Sequence, residues 1–242
     1  MATELVVALD YNDPKLAEAL TQKLSGLPVV YKVGLELFLS ADSAWVRELC
    51  SSDARVFLDL KFYDIPNTVG AAVVKAAELG AEFITVHLAG GRRMLDEVEN
   101  RLQEALLSVQ ILKRPTLLGV SVLTSFREED WIANISHMAK VSGVRSIQDT
   151  SLHFANLAHE HPAVQGMVCS PREAERIRMK YPHLYLMVPG IRPEGSPAQD
   201  QGRTMTPLDA SRAGASGIVV GRPITQATDP RTVVEEILRE IS

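Results

Sequence analysis

The stretch FLDLKFYDIPNTV, residues 57–69, places charged side chains in an otherwise apolar segment. Its first half is rich in strand formers. Because side chains alternate along a strand, Asp59 and Lys61 share one face while Leu58 and Leu60 share the other. A buried carboxylate or ammonium is costly unless it has a partner, so these two charges must be paired or used in chemistry. A structural ion pair is the simpler alternative, but a position beside a strand end favours a functional site.

The same stretch continues into a turn and a helix. Asp64 follows the strand, and Pro66 restricts Ile65 to extended geometry. Asn67 is a suitable N-cap for a helix over residues 68–79. The segment therefore predicts a strand, a charged turn and a helix.

Composition limits the classes of protein to consider. The chain has 242 residues, 46% of them hydrophobic, so it can bury a large core. Its length suits one α/β barrel as well as two smaller domains, and one domain is the simpler prediction. A net charge of −5 gives no general basic surface for nucleic acid or anionic membranes. The two cysteines, Cys50 and Cys169, lack a metal-like spacing and favour a reducing compartment. We recognise no signal peptide and no apolar run of about 18 residues, so we expect a cytoplasmic protein without a membrane span.

Short strands rich in Val, Ile and Leu alternate with helices along the chain. Strands are predicted at residues 5–9, 28–35, 56–61, 83–87, 116–123, 166–169, 185–188 and 217–220. Helices are predicted at about 14–24, 41–50, 68–79, 92–112, 128–141, 150–159, from 171 onward, and at 231–240. Such strands are typical of a parallel sheet covered by helices. Eight units in this length favour a closed (β/α)₈ TIM barrel over an open sheet, so we predict a single barrel domain over residues 1–242.

Further polar candidates lie at strand ends. Asp10 follows the first strand, and Lys32 lies among apolar neighbours in the second. His87 is the one histidine at a strand end, where we expect a core or supporting role, with direct contact to a substrate as the alternative. His159 and His161 lack a third ligand at a recognisable spacing and are expected at the surface, so no metal site is predicted. No GxGxxG or Walker-type loop occurs, which argues against dinucleotide or ATP binding.

The loops after the last two strands contain residues that are suited to binding phosphate. The stretch 189–206 is long for such a loop, and loops of this length are usually lids, binding loops or disordered segments. After the eighth strand, Gly221 allows a ligand to approach the backbone, and Arg222 offers a fork for phosphate oxygens. Because these loops commonly bind phosphate in barrels, we predict a phosphate site rather than a solvated loop. The long loop adds the candidates Arg192, Gln201 and Arg203.

These motifs resemble the orotidine 5′-phosphate decarboxylase family, in its bacterial type. The resemblance rests on DLKxxDIPNT at 59–68, PGIRP at 189–193, Gln201 and GRPIT at 221–225, and it covers essentially the whole chain. DxKxxD alone is shared with related sugar-phosphate decarboxylases and aldolases, whereas IPNT and the phosphate elements are specific. Tyr63 departs from the pattern, since many members carry histidine there, and we expect little consequence.

The resemblance implies cofactor-independent decarboxylation of orotidine 5′-monophosphate to uridine 5′-monophosphate (UMP) and CO₂, the last step of de novo UMP biosynthesis. It implies that Lys61 donates a proton to C6 of the pyrimidine, within an alternating charged array with Lys32, Asp59 and Asp64. The substrate and product nucleotides are then the small-molecule partners. A homodimer is also implied, in which Asp64 and Thr68 reach the neighbouring subunit's site.

The resemblance also assigns substrate contacts. Asp10 and Lys32 would bind the ribose hydroxyls, and Thr124 would lie near the pyrimidine. The phosphate would be held by Gln201, Gly221 and Arg222, with Arg192 in the gripping loop. The substrate-binding set that it implies is Asp10, Lys32, Asp59, Lys61, Asp64, Ile65, Pro66, Thr68, Thr124, Pro189, Arg192, Gln201, Gly221 and Arg222.

Two other functions stay open. A metal-dependent sugar-phosphate decarboxylase or aldolase could use the same barrel, with the acids of DxKxxD helping to bind Mg²⁺. A catalytically silent nucleotide-binding barrel is the alternative from another class, since a fold does not guarantee a function. The intact set of Lys32, Asp59, Lys61 and Asp64 favours an enzyme.

Overall fold

The computed structural model of the protein describes residues 2–52, 54–142, 146–194 and 205–242. Its strands are β1 (Glu4–Ala8), β2 (Val29–Gly34), β3 (Arg55–Phe62), β4 (Phe83–His87), β5 (Thr116–Val120), β6 (Gly166–Val168), β7 (Tyr185–Val188) and β8 (Gly217–Val220). They are parallel and pair in sequence order, and β8 pairs with β1 to close the barrel. The predicted (β/α)₈ barrel is confirmed.

Helices connect successive strands and cover the barrel. They are α1 (Pro14–Lys23), α2 (Leu35–Ser51), α3 (Pro66–Glu78), α4 (Gly91–Leu107), α5 (Glu128–Ser142), α6 (Ile147–Glu160), α7 (Pro171–Lys180), α8 (Pro207–Arg212), α9 (Arg222–Thr225) and α10 (Pro230–Ile241). A 3₁₀ turn at Leu88–Gly90 precedes α4. Among the helices described, none combines the length and the apolar composition needed to cross a bilayer.

Strand side chains alternate between the barrel interior and the layer beneath the helices. Phe57 and Phe83 meet edge to face inside the barrel, with ring centroids 6.1 Å apart. Leu58 and Leu60 pack in the outer layer with helical side chains, which confirms the alternation predicted for β3. The interior cluster consists of Val6, Ala8, Val30, Phe57, Phe83, Leu118, Met187 and Val219.

Two polar side chains cap helix N-termini in the usual way. The Asp13 carboxylate accepts a hydrogen bond from a backbone amide in the first turn of α1. The Thr206 hydroxyl does the same for α8, and Pro207 takes the first helical position. This cap fixes the far end of the long loop after β7.

The prediction that Asn67 caps α3 is wrong. The helix begins at Pro66, and the preceding Ile65 is the extended residue. Proline fits the first helical position because its fixed φ is already helical. The backbone N–H that proline lacks would have no partner within the helix at this position. Asn67 therefore falls inside the first turn, where its side chain accepts a hydrogen bond from Arg101 at 2.6 Å.

Several boundaries differ from the prediction. Helix α2 begins at Leu35, but Asp42 breaks it with φ 67°, and the Asp42 carboxylate caps the second half. The predicted helix at 41–50 is that second half. Helix α4 ends at Leu107 rather than near residue 112, and β5 ends at Val120 rather than at 123. The remaining predicted strands agree with the structure within one residue at each end.

Candidate active site

A cavity of about 230 Å³ opens at the carboxyl ends of the strands, where parallel barrels bind their ligands. Charged side chains from the ends of β1, β2 and β3 line one side. Apolar side chains from the ends of β5, β6 and β7 line the other, and two arginines follow β7 and β8. Of the predicted site residues, the lining includes Asp10, Lys32, Asp59, Lys61, Thr124, Pro189, Arg192, Gly221 and Arg222.

A close ion pair in the cavity joins the two charges of β3. Lys61 Nζ lies 2.8 Å from Asp59 Oδ2. Asp59 Oδ1 accepts a hydrogen bond from the Thr85 hydroxyl at 3.0 Å, so both carboxylate oxygens have partners. The Asp59 side chain is only 12% exposed, whereas that of Lys61 is 33% exposed. Both side chains line the cavity, and Lys61 is the more exposed of the two.

A β-bulge produces this arrangement. Strands β3 and β4 are in register at Leu58 and again at Phe62, but between these points three residues of β3 lie opposite Thr85 alone. Lys61 adopts φ 51°, in the left-handed region, which costs a non-glycine residue about 1–2 kcal/mol. Its backbone amide donates a hydrogen bond to Thr85 Oγ1 at 2.8 Å. Backbone strain of this kind is concentrated at functional sites, which supports a function for the bulge.

A second pair of opposite charges lies on the neighbouring strands. Lys32 Nζ of β2 is 2.9 Å from Asp10 Oδ1, just after β1. The Lys32 side chain is 12% exposed, and that of Asp10 is 58% exposed. A Cβ atom at Gly34 would stand 3.2 Å from Lys32 Nζ, so glycine leaves room for the ammonium. The cavity thus holds two lysine–aspartate pairs from adjacent strands.

Two arginines face the same end of the cavity. Arg192 is 8% exposed, and its Nε is buried with no hydrogen-bond partner in the part of the chain that the structure describes. Burial lowers the pKa of Arg192, and the positive charge of Arg222 lowers it further. An anion bound between two such cations is attracted by both, and arginine forks match phosphate oxygens. The geometry is suited to a phosphate group.

The two ends of the loop after β7 are joined. Ile191 forms a parallel bridge with Met205, and the Arg192 amide donates to the Met205 carbonyl at 3.0 Å. This bridge fixes the backbone that carries Arg192. Gln201 and Arg203 lie outside the described residues.

The side of the cavity formed by β5, β6 and β7 is mostly apolar. Val120, Val122 and Leu123 follow one another along the end of β5, and Met187 adds a flexible side chain from β7. Thr124 supplies a hydroxyl at the edge of this surface. An apolar wall with a few polar groups is typical of sites that bind a flat ring.

The residues predicted after β3 lie elsewhere. Asp64, Ile65, Pro66 and Thr68 are not among the residues that line the cavity. Asp64 and Thr68 are exposed, and Ile65 is 66% exposed. Tyr63 beside them is also exposed, so the turn forms a surface of mixed polar and apolar side chains. The single chain therefore does not bring Asp64 or Thr68 to the site that holds Lys61.

His87 ends β4 beneath this turn. Its ring lies 5.4 Å from that of Tyr63, and the side chain is half-buried. Burial lowers the pKa of His87, and the nearby Lys61 charge lowers it further. The imidazole is therefore neutral near pH 7, which suits a supporting residue beside a cationic site.

The prediction that both late histidines lie at the surface is wrong for His161. His159 is exposed, but His161 is 4% exposed. Its Nδ1 accepts the Ala163 amide at 3.2 Å, and its Nε2 lies 3.1 Å from Asp96 of α4. The tight turn after α6 folds the ring inward. Sequence could not show this, because the partner is 65 residues away.

Thr85 is the site residue that sequence reasoning missed. It is fully buried and contacts both members of the β3 pair, as described above. A signal was present, because Phe83, Thr85 and His87 share one face of β4 and that face lines the barrel interior. A polar side chain between two such positions requires a partner inside the barrel.

The structure also contains no group of three or more His, Cys, Asp or Glu side chains arranged to hold a metal ion, within the residues it describes.

Comparison with known proteins agrees with this geometry. The model of the family described as "Orotidine 5'-phosphate decarboxylase / HUMPS family" matches residues 3–237. A curated orotidine 5'-phosphate decarboxylase of Pseudomonas putida (strain W619) is 41% identical over 239 residues, which cover 99% of this chain and 97% of that protein. The enzyme of the same name from Sodalis glossinidius is 41% identical over 238 residues, covering 98% of this chain and 89% of that protein.

A solved structure is similar over its whole length. The crystal structure of orotidine 5'-phosphate decarboxylase from Lactobacillus acidophilus has a TM-score of 0.82 and 31% identity, and the match covers 99% of each chain. The resemblance seen in the sequence motifs is thus confirmed over nearly all of the chain: the protein belongs to the orotidine 5′-phosphate decarboxylase / HUMPS family.

Proposed function

We propose that the protein catalyses the cofactor-independent decarboxylation of orotidine 5′-monophosphate to UMP and CO₂, the last step of de novo UMP biosynthesis. The names of its relatives support this substrate. The observation that carries the proposal is the Lys61–Asp59 pair, 2.8 Å apart, which lines the same cavity as Arg192 and Arg222. A cation for the reacting carbon and two cations for a phosphate are thus present in one site.

The chemistry explains why a lysine is needed. When the bond between C6 and the carboxylate breaks, its electron pair stays on C6, a vinylic carbon with no adjacent π acceptor. The Lys61 ammonium stabilises this charge, and stabilisation of developing charge is usually the largest catalytic term. Lys61 Nζ then donates its proton to C6, CO₂ leaves, and solvent returns a proton to the neutral amine.

Asp59 holds the ammonium in place for this step. Its second oxygen is fixed by Thr85, so the carboxylate cannot turn away from Lys61. In the proposed complex Asp59 also lies near the substrate carboxylate, and the repulsion between them is relieved when CO₂ departs.

The phosphate site supplies binding energy from a group that does not react. Enzymes at the upper end of the typical range lower their barriers by about 23 kcal/mol, which is more than one lysine can provide. We infer that Arg192, Gln201, Gly221 and Arg222 bind the phosphate. Binding energy from this remote group then stabilises the active arrangement of the charges.

The remaining contacts complete the proposed complex. Lys32 and Asp10 hold the ribose hydroxyls, and Thr124 lies near the pyrimidine. Asp64 and Thr68 act in the site of a partner subunit within a homodimer. Their exposure, and their position outside the cavity of their own chain, support this arrangement.

We also infer a reducing, cytoplasmic compartment. Cys50 and Cys169 are both free thiols in the structure, and Cys169 is buried.

The test is to incubate chelator-treated protein with orotidine 5′-monophosphate and to measure CO₂ and UMP together. Equal amounts of both products, unchanged by chelation, are expected. If turnover requires Mg²⁺, or if only a sugar phosphate reacts, a metal-dependent sugar-phosphate decarboxylase or aldolase on the same barrel is the better assignment. A folded protein that binds UMP without any turnover would indicate a silent nucleotide-binding barrel.

A further inference from the structure

We propose that Thr85 is a positioning residue that sets the Lys61–Asp59 pair for proton transfer, an inference that rests on the proposed function. Its hydroxyl contacts both partners of the pair. It donates to Asp59 Oδ1 at 3.0 Å and accepts from the Lys61 backbone amide at 2.8 Å.

The Thr85 hydroxyl donates one hydrogen bond and accepts another at the same time. A hydroxyl has one proton and two lone pairs, so it can serve an acceptor and a donor together. Because the Lys61 amide occupies a lone pair, the proton is directed to the carboxylate, which fixes Asp59 as the acceptor. A side chain that only accepts or only donates could not make both contacts.

The bulge makes this contact necessary. Three residues of β3, 59–61, lie opposite Thr85, so the regular ladder hydrogen bonds are interrupted there. Lys61 also has φ 51°, a conformation that lysine does not adopt unless its surroundings hold it. The Thr85 hydroxyl takes the place of the missing strand carbonyl for the Lys61 amide. The direction of the Lys61 side chain therefore depends on Thr85.

Burial makes the arrangement rigid. Thr85 is fully buried, and its β-branched side chain has few accessible χ1 angles in a strand. Because Thr85 is fully buried, solvent does not reach its hydroxyl in this arrangement. The hydroxyl thus holds Asp59 and the Lys61 backbone in one geometry before substrate binds.

The experiment compares Thr85→Val, which keeps the shape and removes the hydroxyl, with Thr85→Ser, which keeps the hydroxyl. Thr150→Val is the matched control, because Thr150 is also buried and its hydroxyl also makes two hydrogen bonds, but in the layer of α5 and α6. We expect Thr85→Val to lower kcat at least about tenfold while the Kd for UMP changes less than about threefold. Thr85→Ser should keep kcat within about threefold of wild type, and Thr150→Val should leave it unchanged.

A second measurement does not depend on turnover. The rate at which a small acylating reagent modifies Lys61 is read by peptide mass spectrometry, with Lys32 as the internal reference because it forms a similar pair with Asp10. Loss of the hydroxyl frees Asp59 and leaves the amine less firmly paired, so Lys61 should react at least about threefold faster in Thr85→Val. Thr85→Ser should react like wild type.

The inference is overturned if Thr85→Val keeps both wild-type kcat and wild-type Lys61 reactivity. It is also overturned if kcat and UMP affinity fall in parallel in Thr85→Val and Thr85→Ser alike, since that pattern indicates general destabilisation. If wild type itself does not decarboxylate orotidine 5′-monophosphate, the proposed function fails. In that case the acylation rates still decide whether Thr85 positions Lys61.

Discussion

Replacing Arg222 with alanine is expected to weaken UMP binding by about a hundredfold and to leave uridine binding unchanged. Arg222 follows β8 as the first residue of α9, is half-buried, and lines the cavity beside Arg192. Uridine lacks only the phosphate, so the comparison isolates the contact that the two arginines are proposed to make.

The magnitude follows from the geometry of the pair. A guanidinium fork makes two charge-assisted hydrogen bonds, each contributing about 1.5 kcal/mol at the lower end of the usual range. We take the lower end because Arg222 is half-buried. The sum of about 3 kcal/mol corresponds to a little over a hundredfold in Kd.

The assay is calorimetric titration of UMP and uridine into wild type, Arg222→Ala and Arg239→Ala. Arg239 lies exposed on α10 and serves as the control for loss of a surface cation. In steady-state kinetics Arg222→Ala should raise KM strongly and lower kcat/KM. If UMP affinity stays within about threefold of wild type, or if uridine and UMP weaken equally, Arg222 does not bind the phosphate.

Three other predictions concern the interface, the histidine and a thiol. Mixed Asp64→Asn and Lys61→Ala chains should recover activity, since a heterodimer would contain one intact site; no recovery after subunit exchange would exclude a shared site. His87 has a lowered pKa, so the unfolded state binds more protons below pH 6.5 and stability falls on acidification. In urea denaturation, the free energy of unfolding should fall less from about pH 7 to about pH 5 in His87→Gln than in wild type, and an equal fall in both proteins would refute this. Burial raises the pKa of Cys50 to about 11, so its alkylation at about pH 8 should be roughly a hundredfold slower than that of an ordinary thiol. Labelling at the ordinary rate would contradict that burial.

The fold was accessible from sequence because each strand carries a continuous apolar run and each is followed by a helix. The site was accessible for a related reason: charges in such strands have few explanations other than pairing or chemistry. Asp59, Lys61 and Lys32 stand out on this ground alone. Where proline and N-cap signals competed, as at Pro66 and Asn67, simple capping rules chose the wrong residue.

The features that the sequence did not predict depend on the register between strands and on contacts between residues far apart in the chain. The bulge opposite Thr85 requires the pairing of β3 with β4, which sequence patterns do not specify. The burial of His161 depends on Asp96, far away in the chain. The exposure of Asp64 follows from the path of the turn after β3, and its proposed role needs a second subunit.

The central claim is that Lys61 carries the chemistry, and replacing it tests this most directly. Wild type and Lys61→Ala are compared for release of CO₂ from orotidine 5′-monophosphate and for UMP affinity, with Lys75→Ala as a control for loss of a lysine on the outer face of α3. The account predicts that Lys61→Ala is folded, binds UMP and shows no measurable CO₂ release, while Lys75→Ala behaves like wild type. Turnover by Lys61→Ala at the wild-type rate would contradict it.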